Sequence, residues 1–493
     1  MLWRSKGRLI SAAIIIFWLV MIALFLRREG ILPYLSAAHR PLSPRIMHPT
    51  DTWMGIFFGG AQIGFVNTNT TPDSRDGKIG TALSVTAKIH LTLLSSPTEI
   101  YLAGSAWIPQ DSGIAQFDFK VRSSDHTMSV AATVEDGILN AEIHTAGEVI
   151  PLKFPVGKDL LLSGAMGTTT LNVPDLKKDE EVFIDTFDPM TFSMGKTRIK
   201  CVGEETLDVT GQQIPTKILT TTLNGLTSKV WIAANEEVVQ AETPFGFSLR
   251  KVRPQEAFFR TEAQEPQDLL NVIGVQPTGQ KPFRGATRMT IRLTGIVPEN
   301  YPPVDTTQTA AENVYTITMA QAPAEQEVKP GDEQAEYLKA DAFAQADHPK
   351  IQQVADNAAG SETGRWTRAL AIYQWVYDTI EKTVVFSIPS ALEVLETLEG
   401  DCNEHTILYT ALARAAGVPT RIAIGLTWSD ELNGFYYHAW PEVYAGQWIW
   451  MDPTLGQPIA DATHIKLFNG SIETWPQLIP FLGQLKIEVI AIE

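Results

Sequence analysis

The sequence predicts an α+β protein with an N-terminal transmembrane helix, a β-rich middle domain and a C-terminal domain in which helices precede strands. Three features of the 493 residues predict it. A run of 18 residues without a charge, Leu9 to Leu26, lies near the start. Apolar and polar residues then alternate between about Met47 and Arg253, and from Trp366 the apolar spacing becomes helical. At about 150 residues per domain the length suits two or three domains.

At about 1.5 Å per residue the first run just crosses a hydrocarbon core. Arg4, Lys6 and Arg8 precede it and Arg27 and Arg28 follow it, so charge does not orient it. It is longer than a usual signal-peptide core and leaves through Leu-Arg-Arg-Glu, which predicts an uncleaved anchor over residues 1–30. A long remainder crosses largely regardless of charge. The expectation is therefore a single-pass protein of the inner (cytoplasmic) membrane, its bulk periplasmic or extracellular.

The β-rich domain is expected over residues 45–255. Val85, Ala87, Ile89, Leu91 and Leu93 alternate with polar residues, as do Phe117, Phe119 and Val121. Each pattern gives a strand with one wet face. Gly59-Gly60 and Asn224-Gly225 read as turns. No catalytic constellation occurs here, so the region reads as a scaffold or ligand-holding sheet. Residues 256–345 are expected to be a linker with short strands: 321–336 is acidic and lacks aromatics, whereas Met289, Ile291 and Leu293 alternate. Residues 346–493 form the last domain, opened by a helix whose stripe is Trp366, Leu370, Tyr373, Tyr377 and Ile380.

Composition excludes several functions. Lys and Arg number 39 against 56 Asp and Glu, and the formal charge of −17 repels nucleic acid. Two cysteines, Cys201 and Cys402, allow neither a disulfide framework nor a four-thiolate zinc site. Calcium loops of the D-x-D-x-D-G type are missing from the sequence. Neither a cofactor nor a metal is expected, and a catalytic thiol must be one of the two cysteines.

The chemistry concentrates between Gly400 and Thr454. Asp401 has the place of an N-cap, Glu404 that of its capping-box partner, and Leu408, Ala411, Leu412 and Ala415 make a buried stripe that Gly417 ends. Cys402 then falls in the first helical turn, where free N–H groups and the macrodipole favour a thiolate. Two strands follow, one carrying His438 and one ending at Asp452 before Pro453. A thiol, an imidazole and a carboxylate are the parts of nucleophilic amide chemistry. Cys201, between Lys200 and Val202, reads as an inert strand cysteine.

The blocks Gly400-Asp401-Cys402-x-Glu404-His405, Ala413-Arg414-Ala415-x-Gly417-Val418-Pro419-x-Arg421, His438-Ala439-Trp440-x-Glu442 and Trp448 to Asp452-Pro453-Thr454 resemble the core of the transglutaminase-like superfamily. They occur in family order over roughly Pro349 to Leu467. Asp461-Ala462-Thr463-His464 is similar to a segment of bacterial members. The resemblance implies a papain-like fold for residues 346–493 and a triad of Cys402, His438 and Asp452. It also implies an acyltransferase or a cysteine peptidase or amidase that attacks amide bonds of proteins or peptides, cell-wall peptide included, through a Cys thioester. A catalytically silent peptide-binding module is the alternative. For the oxyanion, Gln374 and Trp375 are side-chain candidates beside the Cys402 N–H. Glu404 and Arg421 are expected to be capping or ion-pairing groups.

Strand parity adds a geometric expectation. His438 and Asp452 must leave the same face, which excludes a two-residue hairpin at Ala445-Gly446. A three-residue loop Tyr444–Gly446 is favoured, with His438 directly opposite Asp452. The loop Ala445–Gln447 keeps the parity but makes the contact diagonal.

Overall fold

The alternating pattern of the first half becomes a single sheet of 15 strands. The structure is a computed structural model. It describes residues 49–93, 96–123, 126–145, 148–158, 160–162, 176–188, 193–223, 226–235, 237–243, 246–258, 274–323, 332–383, 390–470, 474, 477–478 and 481–493. The first described strand, Thr50–Phe58, lies in mid-sheet against Phe247–Lys251, and successive strands run antiparallel outward from both. One edge is Glu148–Pro155; at the other, Leu161–Leu162 pairs parallel to Glu181–Asp188. Phe154 on the first edge touches Phe187 beside the second, with ring centroids 5.8 Å apart, so the sheet curls until its ends meet. Val85, Ala87, Leu91, Phe117, Phe119 and Val121 are buried on its inner face. Cys201 is buried in the strand Ser193–Val209, and both cysteines are free. Asn224-Gly225 lies outside the described residues.

Two expectations are corrected. The α+β assignment with a transmembrane helix gives way to a large-sheet, β-rich architecture. Among the described residues no helix is long and apolar enough to cross a membrane. The longest, Arg365–Thr379, has 15 residues, shorter than the roughly 20 apolar ones a span needs, and it carries Arg365, Arg368 and Asp378. The run Leu9 to Leu26 lies outside the described residues. The same finding stands against the single-pass inner-membrane placement with a periplasmic or extracellular bulk.

Met289, Ile291 and Leu293 face inward, fully buried, in a strand of a five-stranded sheet that the C-terminal strand Lys486–Ile492 joins. Four helices that pack on one another come next: α1 (Pro349–Ala359), α2 (Arg365–Thr379), α3 (Ala391–Thr397) and α4 (Cys402–Ala415). A four-stranded sheet follows: β1 (Thr420–Ser429), β2 (Gly434–Tyr444), β3 (Trp448–Trp450) and β4 (Ile465–Asn469), in the order β3-β2-β1-β4. The buried face of α2 is Ala369, Ile372, Tyr373 and Val376, and Tyr377 of the expected stripe is exposed. Close helix packing selects the smaller residues: Tyr409 of α4 reaches across to donate to the Ala369 carbonyl at 3.1 Å. Helix α4 is buried all round from Glu404 to Ala413, not along one stripe, because helices cover one side and the sheet the other.

The β2–β3 register takes the competing loop. Val443 pairs with Ile449 and Tyr444 with Trp448, which leaves Ala445–Gln447 as the loop, closed by the Ala445 N–H to the Gln447 carbonyl at 3.0 Å. Gly446 occupies the middle at φ +91°. The favoured loop failed because it put glycine third, whereas the left-handed residue is second here. Carried past Trp450, this register sets Asp452 beside Trp440, two residues from His438 and on the same face.

Glu442 of β2 anchors the site strand. Its fully buried carboxylate accepts from Arg421 Nε (2.5 Å), Lys466 Nζ (2.7 Å) and Asn469 Nδ2 (2.5 Å), while Lys466 also pairs with Asp305. Removing one partner of such a network strands buried charge. Glu442→Ala is expected to cost about 3–5 kcal/mol in equilibrium urea unfolding. Glu396→Ala, which breaks an exposed pair with Lys350, is expected to cost less than about 1 kcal/mol.

Candidate active site

Cys402 is the first residue of α4 because Asp401 caps it. The Asp401 carboxylate accepts the N–H groups of Asn403, at 2.9 Å, and Glu404; Glu404 Oε2 in turn accepts the Asp401 N–H at 2.9 Å. Gly400 is required before this cap, since at φ +156° a Cβ would stand 2.2 Å from Glu404 Cβ. The His405 N–H bonds the Asp401 carbonyl, which leaves the Cys402 N–H as the first-turn amide without an intrahelical or capping partner. Burial and the Asp401 carboxylate push Glu404 well above the ordinary carboxyl range.

The sulfur does not sit as a ready-made anion. Cys402 is half-buried. Even so, burial, with Asp401, Glu404 and Asp452 adding to it, pushes the thiol well above its ordinary value. A hydrogen bond from the Ala439 backbone works the other way. The expectation of a thiolate held by the helix start alone is therefore corrected: desolvation and nearby acids outweigh the partial charge of the helix end.

His438 is adjacent to Ala439 on β2. Helix α4 and β2 are fixed to each other at this point, since Thr406 Oγ1 donates to the Ala439 carbonyl at 3.0 Å. His438 Nε2 donates to Asp452 Oδ2 at 2.7 Å, so the sheet brings together the imidazole and carboxylate read from the sequence. Asp452 is fully buried, its Oδ1 accepting the Leu455 N–H at 2.9 Å and its backbone bridging to Gln457. Burial opposes its charge, but His438 and His464 hold it far below the usual carboxylate range.

His464 is the residue that motif reading undervalued. Its Nε2 lies 2.9 Å from the same Asp452 Oδ2, and its Nδ1 faces the Asp461 carbonyl at 3.2 Å. The D-x-x-H spacing of Asp461 and His464 was the available signal. Donor atoms of His438, Asp452 and His464 lie within 4.8 Å of one another, close enough to hold a metal ion. Separations of 2.7 and 2.9 Å are those of N–H···O bonds, however, and the carboxylate oxygen fits between two imidazole protons. His405 is not part of this group: its Nδ1 donates to the Asp401 carbonyl at 2.7 Å, and burial lowers its pKa. Gln374 is exposed and bonds Asp378 at 2.8 Å, while Trp375 packs against the core. Arg421 and Glu442 form the expected ion pair.

A family model described as the transglutaminase-like superfamily matches residues 352–453. Among curated proteins none matches significantly. Similar solved structures include a candidate cysteine protease from Cytophaga hutchinsonii, 18% identical over 44% of this chain and 82% of that one, with a TM-score of 0.29. A β-barrel-like protein of a domain of unknown function from Brucella abortus is 10% identical over 42% and 98%, with a TM-score of 0.31. A candidate protease from Parabacteroides distasonis is 10% identical over 78% and 70%, with a TM-score of 0.21. Those scores are too low to fix a fold. At family level, the matched core supports a cysteine-dependent enzyme.

The buried ions give stability a pH profile. Burial disfavours the His464 imidazolium, yet its bonds to Asp452 and Asp461 raise it from 6.5 to about 9. That stabilisation is complete below pH 6.5 and is lost as pH rises through about 9. Asp452 and Asp461, both held low, stabilise the fold above their ordinary 3.8 and lose that contribution in acid. Urea unfolding across pH is expected to show a decline on the order of 3 kcal/mol from neutral pH toward alkaline pH. In His464→Gln that decline should be absent.

Proposed function

Because residues 352–453 belong to the transglutaminase-like superfamily, we propose that the chain is a thiol enzyme acting on amide bonds of proteins or peptides through a thioester at Cys402. Cys402, His438 and Asp452 are its triad. The observation that carries this reading is the 2.7 Å bond from His438 Nε2 to the buried Asp452 carboxylate, on the strand whose next residue, Ala439, bonds the Cys402 sulfur. With Nε2 tied to the carboxylate, Nδ1 is the nitrogen left to take the thiol proton.

As sulfur attacks the amide carbonyl, its proton passes to His438, and the carbonyl oxygen becomes an oxyanion beside the Cys402 N–H. Collapse breaks the C–N bond, and His438 returns the proton to the leaving amine. Water then gives a carboxylate, or a primary amine gives a new amide, and the thiol is released. The raised thiol favours a second reading, a silent module that grips a peptide without turnover.

Mass spectrometry of glutamine-containing peptides incubated with the full chain, with and without a primary amine, separates these readings. Hydrolysed or amine-exchanged peptides are expected with the wild type and none with Cys402→Ala, whose circular dichroism should be unchanged. Retained turnover by the alanine variant would remove the thioester mechanism, and binding without turnover by the wild type would establish the silent module.

A further inference from the structure

Three histidines lie close to Cys402 and Asp452, and their surroundings differ. His405 has an acceptor at Nδ1, and its buried Nε2 has no partner among the described residues. His438 has the Asp452 carboxylate at Nε2. Only His464 of the three faces acceptors from both nitrogens: Asp452 Oδ2 at 2.9 Å on one side, and on the other the Asp461 carbonyl at 3.2 Å with Asp461 Oδ1 at 3.5 Å. An imidazole between two acceptors must carry both protons to satisfy them. His464 is fully buried.

Both acids are built to receive it. Asp461 is oriented by the N–H groups of Gly285 (2.8 Å) and Thr463 (2.9 Å) and by Gln457 Nε2 (2.7 Å). Asp452 Oδ2 receives two imidazole N–H groups at once. The rings of His438 and His464 lie 5.9 Å apart, and Trp440 packs against both.

We propose that His464 is a positioning residue of the thiol site: as an imidazolium it holds the Asp452 carboxylate at the oxygen His438 also uses, and offsets one of two buried negative charges. This rests on the triad reading given above. Asp452 is one of the groups that oppose a thiolate at Cys402, and a cation bonded to it weakens that opposition. Other titratable groups facing the cluster are Asp401, Glu404 and His405 on α4, Tyr373 on α2, and His438 on β2. Burial pushes His405 toward its neutral form, which leaves His438 as the other histidine beside Asp452, and it has to be free to exchange its proton. A fixed second cation therefore separates the tasks: His464 balances charge, and His438 moves the proton.

The test is the pH dependence of Cys402 alkylation by iodoacetamide, followed by peptide mass spectrometry on the full chain. It needs no substrate. The wild-type rate is expected to rise with pH along a single limb that lies above the free-thiol value of about 8.5, because burial and the nearby acids hold the thiol up. In His464→Gln, which keeps a donor but not the charge, the limb should move up by about one pH unit, a tenfold loss of rate along it. A uniform slowing with the limb unmoved would reduce His464 to a packing residue and overturn the inference while leaving the triad intact. A His438→Ala limb that coincides with the wild-type limb would instead overturn the triad reading, and this inference with it. Should the glutamine variant fail to fold, ring-nitrogen NMR of the wild type decides: a His464 protonated at both nitrogens at neutral pH upholds the inference, and a neutral ring overturns it.

Discussion

The carboxylate of Asp452 is the constraint on which the rest of the C-terminal domain turns. A fully buried ion survives only when both of its oxygens are well supplied with donors, and here two imidazoles and a backbone N–H supply them. Those donors come from three places in the chain: β2, the segment before β4 and the loop after Asp452 itself. Satisfying one carboxylate therefore fixes the relation of two strands and a loop. The same acid that bonds His438 also opposes an anion at Cys402.

Helix α4 supplies the other half. Its burial on all sides from Glu404 to Ala413 makes it a fixed reference, and its first turn is defined by the Asp401 cap and the glycine before it. Thr406 and the Cys402 sulfur both engage Ala439, so the helix start and the histidine strand meet at one residue. Three residues further along β2, Glu442 gathers Arg421, Lys466 and Asn469, and Lys466 reaches on to Asp305. The strand that carries His438 is thereby pinned at both ends, by a polar network at one and by the site at the other.

Much of this was legible in residue patterns. The cap, the end of α4 near Gly417 and the alternation of the large sheet follow from local chemistry that short windows contain. So did the parity argument that puts His438 and Asp452 on one face, and the structure keeps it. What local windows lack is tertiary choice. Which residue of Tyr444-Ala445-Gly446-Gln447 takes the left-handed place depends on strand pairing, and the register moved by two positions as a result. The α2 stripe was misread because two overlapping helical stripes exist and close approach to Tyr409 selects the smaller one. The thiol's state was misjudged because desolvation is a property of the assembled fold. His464 was visible as a motif, but its partner at Asp452 appears only when the strand brings them together.

The most direct measurement of the central claim is the covalent intermediate itself. The full chain would be mixed with glutamine-containing peptides, quenched in acid within the first turnovers and analysed by intact-mass and fragment mass spectrometry. The account requires an acyl adduct, the peptide less its leaving amine, mapped to Cys402 and lost on treatment with hydroxylamine. Turnover without such an adduct, or an adduct on any other side chain, would contradict it.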